Sequence, residues 1–296
     1  MNQTKQELAE LNDNRLTRRE LLAGAAVSIA VAGSIEAQAS TAVEKFVRFE
    51  KAGRTAYGKL EGETVRELTG SFLAGGKPTR VVHPLKSVMV LVPCEAPKVI
   101  AVARNYKSHV GNTPPPPRVE NFFKPITCLQ RHEAPIVYPP DAKNLHYEGE
   151  LVLVIGKTIR NATREQAREA IWGVTCGNDV SERDWQNGAD KDIQWWRAKG
   201  ADTFGPAGPC VARGLDYGNL MLRTRLNGQV VQESSTKELI YDCETIVSVT
   251  SKYVTLTPGD LIYTGTPGVT KPMKPGDVVE VEIEGVGVLR NKVVAG

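Results

Sequence analysis

The chain has 296 residues, and its 37 Lys or Arg against 34 Asp or Glu give a formal net charge of +3. A hydrophobic fraction of 41% and a charged fraction of 24% are typical of a folded globular protein, and they exclude intrinsic disorder and a multi-span membrane protein. No block of Lys and Arg interrupts this balance, so the clustered basic face that nucleic-acid binding requires is not expected.

Residues 1–39 are predicted to be an export signal rather than part of the fold. Arg18 and Arg19 precede a mild apolar stretch, and Ala37-Gln38-Ala39 offers a small-x-small cleavage site. The stretch is too short and too weakly apolar for the roughly 20 residues of a membrane-spanning helix. The paired arginines are typical of the twin-arginine class, so we expect the twin-arginine export machinery as a partner and a periplasmic location. An amphipathic N-terminal helix is the alternative.

The five cysteines do not form a recognisable disulfide or zinc pattern. They are odd in number, lie far apart and include no C-x-x-C pair. We therefore expect them to behave as small buried apolar residues. They are Cys94, Cys128, Cys176, Cys210 and Cys243.

The first structured segment is predicted to be a small β domain over residues 40–95. Apolar and polar residues alternate from Val47 to Leu68 between glycine-containing turns, as in a meander of short antiparallel strands. An apolar run from Lys98 to Ala103 predicts the first buried strand of a second domain over residues 96–296. The tract Pro114–Pro117 is predicted to be a stiff exposed loop, because proline suits neither a helix nor a central strand.

Further along the chain, short strands predominate. Strands are predicted at Tyr147–Ile155 and Trp172–Asn178, with a helix at Thr163–Ile171 between them that Thr163 and Gln166 can cap. The last third is again β, and two Pro-Gly-Asp turns, with Asp260 and Asp277, lead the chain into strands. The predicted fold class is α+β and mostly β.

Three carboxylates are candidate metal ligands. Alternate residues of a strand share a face, so Glu148 and Glu150 project together, and Asp179 ends the next predicted strand. Carboxylates placed side by side repel each other unless a cation lies between them. An all-oxygen set without paired His or Cys suits a hard cation such as Mg²⁺, Mn²⁺ or Ca²⁺. An exposed polar strand face is the alternative from spacing alone.

Basic and polar residues surround these carboxylates in the sequence. Arg183 and Gln186 are three residues apart, so on a helix they share a face. Lys199 follows in a Trp-rich segment, and His109 ends the segment that leaves the first buried strand. Taken singly, Arg183 and Lys199 also fit a solvated surface, and a lone loop His is usually incidental.

Six motifs in order resemble the fumarylacetoacetate hydrolase family, in its acylpyruvase-like and hydroxymuconate-isomerase-like branches. They span roughly residues 45–295 and include R-N-Y-x-x-H from Arg104 through Tyr106 to His109. The others are F-x-K-P with Lys124, H-x-E-x-E-L, N-D-x-x-x-R-D-x-Q, K-x-x-D-x-x-x-P-x-G-P from Lys199, and P-G-D-x-I-x-T-G-T-P with Thr266.

The resemblance implies a mixed β-roll or barrel domain behind a small N-terminal β domain, and a homodimer. It implies Mg²⁺ or Mn²⁺ held by Glu148, Glu150 and Asp179. It further implies that His109 is an acid/base on a lid-like segment and that Lys199 faces the substrate. The expected substrate-binding residues are Arg183, Gln186, Thr266, Arg104 and Tyr106.

Two positions depart from the family pattern. Ala103 stands where many relatives have Gly, and Asn112 stands where acylpyruvase-type members have the Glu of H-x-x-E. A carboxylate partner keeps a catalytic His basic and oriented. Glu120 and Glu133 are candidates to replace it.

The expected function is metal-dependent cleavage of a C–C bond in a β-diketo or acylpyruvate-type 2-oxo acid through a metal-bound enolate. In this mechanism His109 activates water, and Lys199 and Arg183 stabilise the oxyanion. Tautomerisation, isomerisation or decarboxylation of a 2-oxo acid uses the same apparatus and is the alternative, which Asn112 favours. A binding protein that holds a metal or a small acid without turnover is the alternative outside the enzymes.

Overall fold

The computed structural model describes residues 42–296, so the predicted export signal and cleavage site lie outside the described residues. Three antiparallel strands open the fold: β1 (Glu44–Lys51), β2 (Arg54–Glu61) and β3 (Thr64–Leu68). These confirm the predicted meander. They are followed by β4 (Pro78–Pro84) and β5 (Met89–Val90), which pair with β3 and β1 respectively.

The middle of the chain contributes short strands and one short α-helix before the strand that bears the carboxylates. In chain order these are β6 (Val99–Ala103), α1 (Lys107–Val110), β7 (Glu120–Lys124), β8 (Leu129–Gln130), β9 (Ile136–Tyr138), β10 (Leu145–His146) and β11 (Gly149–Ile155). Strands β6 and β11 confirm the strands predicted there.

The second half alternates helices and strands. It comprises α2 (Arg164–Ala170), β12 (Ile171–Asn178), β13 (Ser181–Glu182), α3 (Arg183–Asn187), α4 (Trp196–Gly200), β14 (Gly205–Arg213), β15 (Met221–Leu226), β16 (Gln229–Ser235), α5 (Cys243–Tyr253), β17 (Leu261–Tyr263), β18 (Val278–Ile283) and β19 (Gly287–Ala295). Helix α2 begins with the predicted capping box of Thr163 and Gln166.

The described strands form a mostly β architecture with one large mixed sheet. Its order is β4-β3-β2-β1-β14-β12-β11-β17-β6-β7, with β5 and β8 paired at its side. A second sheet has the order β16-β15-β18-β19-β9. The predicted mostly β fold is confirmed, but within residues 42–296 neither sheet closes into a barrel, because each path ends at two different edge strands.

Sequence-distant segments meet in the centre of the large sheet. Strand β11 lies between β12 and β17, and β17 pairs in parallel with β6. The side chains of β11 are buried from Glu150 to Ile155, since the strand is covered on both faces. The ends of β6, β11, β12 and β17 are thereby brought close together.

Two local predictions have specific outcomes. Asp260 and Asp277 are turn residues, because their carboxylates accept the backbone N–H groups of Thr257 and Lys274 at 2.7 and 2.8 Å. The proline tract is a loop as predicted, but Pro116 is buried and its carbonyl accepts the Tyr241 hydroxyl at 2.6 Å. The prediction of a wholly exposed tract is therefore wrong at Pro116. No helix among the described residues is long and apolar enough to span a bilayer.

Candidate metal centre and cavity

Glu148, Glu150 and Asp179 converge at the junction of β11 and β12. One oxygen from each carboxylate lies within 4.8 Å of the others, and all three residues are buried. The antiparallel register places Gly149 opposite Asn178, and the Asp179 N–H donates to the Glu148 carbonyl at 2.9 Å. The local strand pairing thus brings the three predicted ligands to one point.

Gly149 allows a second sheet to approach this point. A Cβ at residue 149 would collide with the hydroxyl of Thr224 on β15. The neighbouring Gln232 of β16 accepts the Gly149 N–H at 3.1 Å. The five-stranded sheet therefore packs directly behind the strand that carries the carboxylates.

Two buried lysines pair with the carboxylates. Lys199 Nζ donates to Glu148 Oε2 at 2.5 Å and to Asp179 Oδ2 at 2.7 Å. Lys124 Nζ donates to Asp179 and to the carbonyls of Lys199 and Phe204. Burial lowers the pKa of Lys124, but the Asp179 carboxylate outweighs this effect and the pKa is raised. Lys124 lies in a motif the sequence singled out, yet its role was not predicted.

Arg183 joins the same network from the start of α3. Its Nη2 donates to Glu148 Oε1 at 2.5 Å and to Thr270 Oγ1 at 2.8 Å, and its Nη1 donates to Gln186 Oε1 at 2.6 Å. Arg183 and Gln186 thus share a face as predicted. Although burial raises the pKa of Glu148, Arg183 and Lys199 hold it well below the usual value.

Glu150 lacks such a partner. Its Oε2 accepts the Gly265 N–H at 2.7 Å, and no basic side chain among residues 42–296 forms an ion pair with it. Burial, followed by the charges of Asp179 and Glu148, raises its pKa well above the usual value. A buried carboxylate beside two others, without its own counter-ion, fits a bound hard cation.

The carboxylates lie in a cavity of about 550 Å³. Its wall includes nine of the predicted site residues, namely Arg104, His109, Glu148, Glu150, Asp179, Arg183, Gln186, Lys199 and Thr266. Glu120, which the sequence offered only as a replacement for the missing Glu, also lines it. Phe122, Trp195 and Thr270 line it as well and were not predicted as binding residues. Their contribution depends on long-range packing, so local patterns did not identify them.

Tyr106 is the predicted residue that does not line the cavity. It is fully buried, and within the described part of the chain its hydroxyl has no hydrogen-bond partner. Burial, and then the charge of Glu150, raises the pKa of this phenol. Tyr106 therefore packs in the protein interior, within the segment that carries Arg104 and His109.

The Thr266 hydroxyl is committed to the protein scaffold. It donates to the Gly149 carbonyl at 2.9 Å and accepts from Gln232 Nε2 at 2.9 Å. Gln232 also donates to the Pro267 carbonyl at 2.6 Å. The loop after β17 is therefore fixed to both sheets, and Gln232 is a supporting residue that sequence patterns did not reveal.

His109 faces the cavity from α1. Its Nδ1 lies 2.7 Å from the Gly268 carbonyl oxygen, which can only accept, so Nδ1 carries the proton. Among the described residues, neither ring nitrogen contacts a carboxylate. Of the two candidate replacements for the missing Glu, Glu120 lines the cavity, whereas Glu133 pairs with Arg290 outside it.

His146 supports the other side of the cavity. Its two nitrogens lie 2.9 Å from Thr270 Oγ1 and 2.8 Å from Asn144 Oδ1. Burial, and then the charge of Arg183, lowers its pKa to about 4. His146 therefore holds Thr270, which in turn accepts a hydrogen bond from Arg183.

Two family models match successive parts of the chain. The family model described as fumarylacetoacetate (FAA) hydrolase C-terminal matches residues 98–294, and the model described as Rv2993c-like, N-terminal, matches residues 44–93. The mitochondrial oxaloacetate tautomerase FAHD2A of Bos taurus is 37% identical over 247 residues, which are 79% of this chain and 77% of that protein.

Two solved structures are similar across nearly all of the described chain. The 5-carboxymethyl-2-hydroxymuconate delta-isomerase from Mycobacterium smegmatis has a TM-score of 0.80 and 40% identity, covering 85% of this chain and 100% of that one. A maleylpyruvate hydrolase from Sphingobium sp. SYK-6, in complex with manganese(II) and pyruvate, has a TM-score of 0.70 and 26% identity, covering 85% and 99%.

Proposed function

Because the chain belongs to the fumarylacetoacetate hydrolase family, we propose that it is a divalent-metal-dependent tautomerase or isomerase of a small 2-oxo acid. The observation that carries this choice is the environment of His109. Its Nδ1–H donates to a backbone carbonyl, and Asn112 occupies the position of the family's carboxylate. Proton transfer needs one such base, whereas hydrolysis also needs an oriented water.

Glu148, Glu150 and Asp179 would hold Mg²⁺ or Mn²⁺. A cation bound there would polarise the 2-oxo group of the substrate and make the adjacent C3 proton more acidic. The similar maleylpyruvate hydrolase was solved in complex with manganese(II) and pyruvate, which supports a divalent cation and a small 2-oxo acid as ligands of this chain.

The protein side chains supply the proton transfer and the positioning. His109 Nε2 has no hydrogen-bond partner among the described residues, so it can take a proton from C3 or return one. In the enol-to-keto direction, the O–H bond at C2 breaks and a C–H bond forms at C3, so atoms balance without a co-reactant. Arg183 and Lys199 hold Glu148 and Asp179 in place during this exchange.

C–C bond hydrolysis is the second candidate function, and one observation favours it. Glu120 lines the same cavity as His109 and could orient a water molecule in place of the missing Glu. The name of the Sphingobium relative also denotes a hydrolase. Decarboxylation would use the same residues.

A substrate comparison tests the proposal. The enol absorbance of oxaloacetate should decay faster with enzyme and Mg²⁺ than with Mg²⁺ alone, and EDTA should remove the difference. His109→Gln should lose this activity, whereas His83→Gln, which alters a histidine outside the cavity, should retain it. Release of acetate from acetylpyruvate, without enol decay above the Mg²⁺ background, would instead establish the hydrolase.

A further inference from the structure

Arg104 and Glu120 form an ion pair at the mouth of the cavity. Their side chains are 47% and 35% exposed, whereas those of Glu148 and Asp179 are at most 5% exposed. Arg104 Nη2 lies 3.3 Å from Glu120 Oε2. An exposed pair with a single long contact contributes little to stability, so its partners can exchange readily.

The backbone holds Arg104 in an unusual position. Its φ of 54° is left-handed, which is costly for a residue with a side chain. Asn105 fixes this turn, because its Nδ2 donates to the carbonyls of Tyr241 and Thr264 at 3.0 and 2.8 Å and its Oδ1 accepts the Tyr241 N–H at 2.8 Å. The guanidinium is therefore carried on a rigid base beside the cavity.

The charges around the cavity indicate what the guanidinium can bind. The carboxylates of Glu120, Glu148, Glu150 and Asp179 on the cavity wall are matched in number by Arg104, Arg183 and Lys199 on the wall and by the buried Lys124, which pairs with Asp179. A divalent cation adds two positive charges to this balanced set. A substrate that carries two negative charges would restore the balance.

We propose that Arg104 binds the second carboxylate of a dicarboxylic 2-oxo acid and releases Glu120 as it does so. This inference rests on the proposed function and specifies its substrate class. The 2-oxo-carboxylate end lies at the buried carboxylates, and the distal carboxylate lies at the mouth. A guanidinium matches a carboxylate with two parallel hydrogen bonds, which the single contact with Glu120 does not achieve.

Arg104→Gln tests the contact. With Mg²⁺ present, its KM for oxaloacetate should rise about 10- to 100-fold, the range expected for a lost charge-assisted hydrogen bond. Its KM for acetylpyruvate, which has one carboxylate, should change less than about threefold. Arg118→Gln removes the same charge from an exposed residue outside the cavity and should match the wild type. Equal losses for both substrates would overturn the proposal.

Glu120→Gln separates the two roles open to Glu120. If Glu120 only competes for Arg104, this variant keeps kcat for oxaloacetate and lowers its KM. A large loss of kcat with unchanged KM would overturn the exchange and assign Glu120 to catalysis.

A binding measurement keeps this inference separate from the proposed function. Calorimetry with Mg²⁺ should show that the wild type binds 2-oxoglutarate about 10-fold or more tightly than 2-oxopentanoate, which has the same carbon chain without the distal carboxylate. Arg104→Gln should bind both alike. If the wild type turns over no substrate but prefers 2-oxoglutarate, the proposed function is wrong and the carboxylate site is supported. If the wild type binds 2-oxoglutarate and 2-oxopentanoate equally, the carboxylate site is wrong.

Discussion

At the scale of single residues, the three carboxylates differ in how their charges are balanced. Glu148 pairs with Arg183 and Lys199, and Asp179 pairs with Lys199 and Lys124. Glu150 has, within the described part of the chain, only the Gly265 N–H as a partner. The three carboxylates therefore differ in how much each stabilises the metal-free protein and in how much each contributes to binding of a cation.

Glu150→Gln is expected to separate these contributions. The amide oxygen can still accept the Gly265 N–H, and removal of a buried carboxylate without a counter-ion should raise the melting temperature of the metal-free protein. Affinity for Mn²⁺ should fall at least about 10-fold because a ligand charge is lost. Thermal melting in EDTA and calorimetry with Mn²⁺ measure the two effects.

Glu148→Gln is the matched control for this prediction. It should weaken Mn²⁺ binding as well, but it leaves Lys199 and Arg183 without a full partner, so the metal-free protein should melt at a lower temperature. If Glu148→Gln leaves Mn²⁺ affinity unchanged, the ligand assignment is wrong.

Lys124→Met is expected to destabilise the fold strongly. The change leaves Asp179 and two carbonyls with fewer donors in a buried site, and breaking a buried pair costs about 3–5 kcal/mol. Lys157→Met removes a lysine from an exposed pair with Glu169 and should cost at most about 1 kcal/mol. Urea unfolding of both variants without metal measures the difference, and equal costs would contradict the structural role of Lys124.

At the scale of elements, helices α2 and α5 are joined where Asp242 caps α5. The Asp242 carboxylate accepts the Thr245 N–H at 2.9 Å and pairs with Arg164 of α2 at 2.7 Å. The hydrogen bond from Arg164 is the largest cause of a lowered pKa of about 2 for Asp242. The Asp242 side chain thus caps the start of α5 and links this helix to α2.

Asp242→Asn is expected to lose the link and keep the cap. Because the folded pKa of Asp242 lies below the unfolded value of about 3.9, its contribution is complete above that value and is lost as the pH falls towards about 2. The pair is half-exposed, so the difference in unfolding free energy should not exceed about 1 kcal/mol at pH 7. Denaturation from pH 7 to pH 2 should show the wild type and variant converging below pH 4; a constant difference would contradict the linkage.

Elements that depend on nearby residues were predicted, and those that depend on distant partners were not. The capping box of Thr163 identified α2, and short apolar and polar stretches between glycine-containing turns identified β1 to β3. The open path of the large sheet depends on pairings such as β1 with β14, which no local pattern encodes. In the site, E-x-E spacing indicated the ligands, whereas Lys124 and Gln232 reach it only through tertiary packing.

At the scale of the whole molecule, all five cysteines are free and buried, as predicted. Burial raises the pKa of Cys94 to about 12 and that of Cys128 and Cys210 to about 11. The reactive species is the thiolate, which is scarce in such surroundings. We expect no fast reaction with a thiol-specific disulfide reagent at pH 8 and reaction of all five thiols in guanidinium chloride. Rapid labelling of the folded protein would contradict this.

Export stays a prediction, because its signal lies outside residues 42–296. Replacing both Arg18 and Arg19 by Lys should retain the protein in the cytoplasm, since the receptor reads the arginine pair. Fractionation of cells that express the wild type or the variant measures this, with Lys5→Arg as a control for charge-conserving changes elsewhere in the segment. Periplasmic recovery of the double variant would contradict the twin-arginine assignment. The homodimer also stays a prediction, which light scattering can test.

The contact of Gly149 with Thr224 has a consequence for the order of folding. We expect strand β11 to complete the cluster of carboxylates once the five-stranded sheet has docked behind it, because Gln232 of that sheet binds both the Gly149 N–H and the loop at Thr266. These contacts join residues far apart in sequence, which form late in folding. We therefore expect affinity for a divalent cation to appear in the final kinetic phase of refolding. A metal-sensitive dye would then report when the two sheets dock.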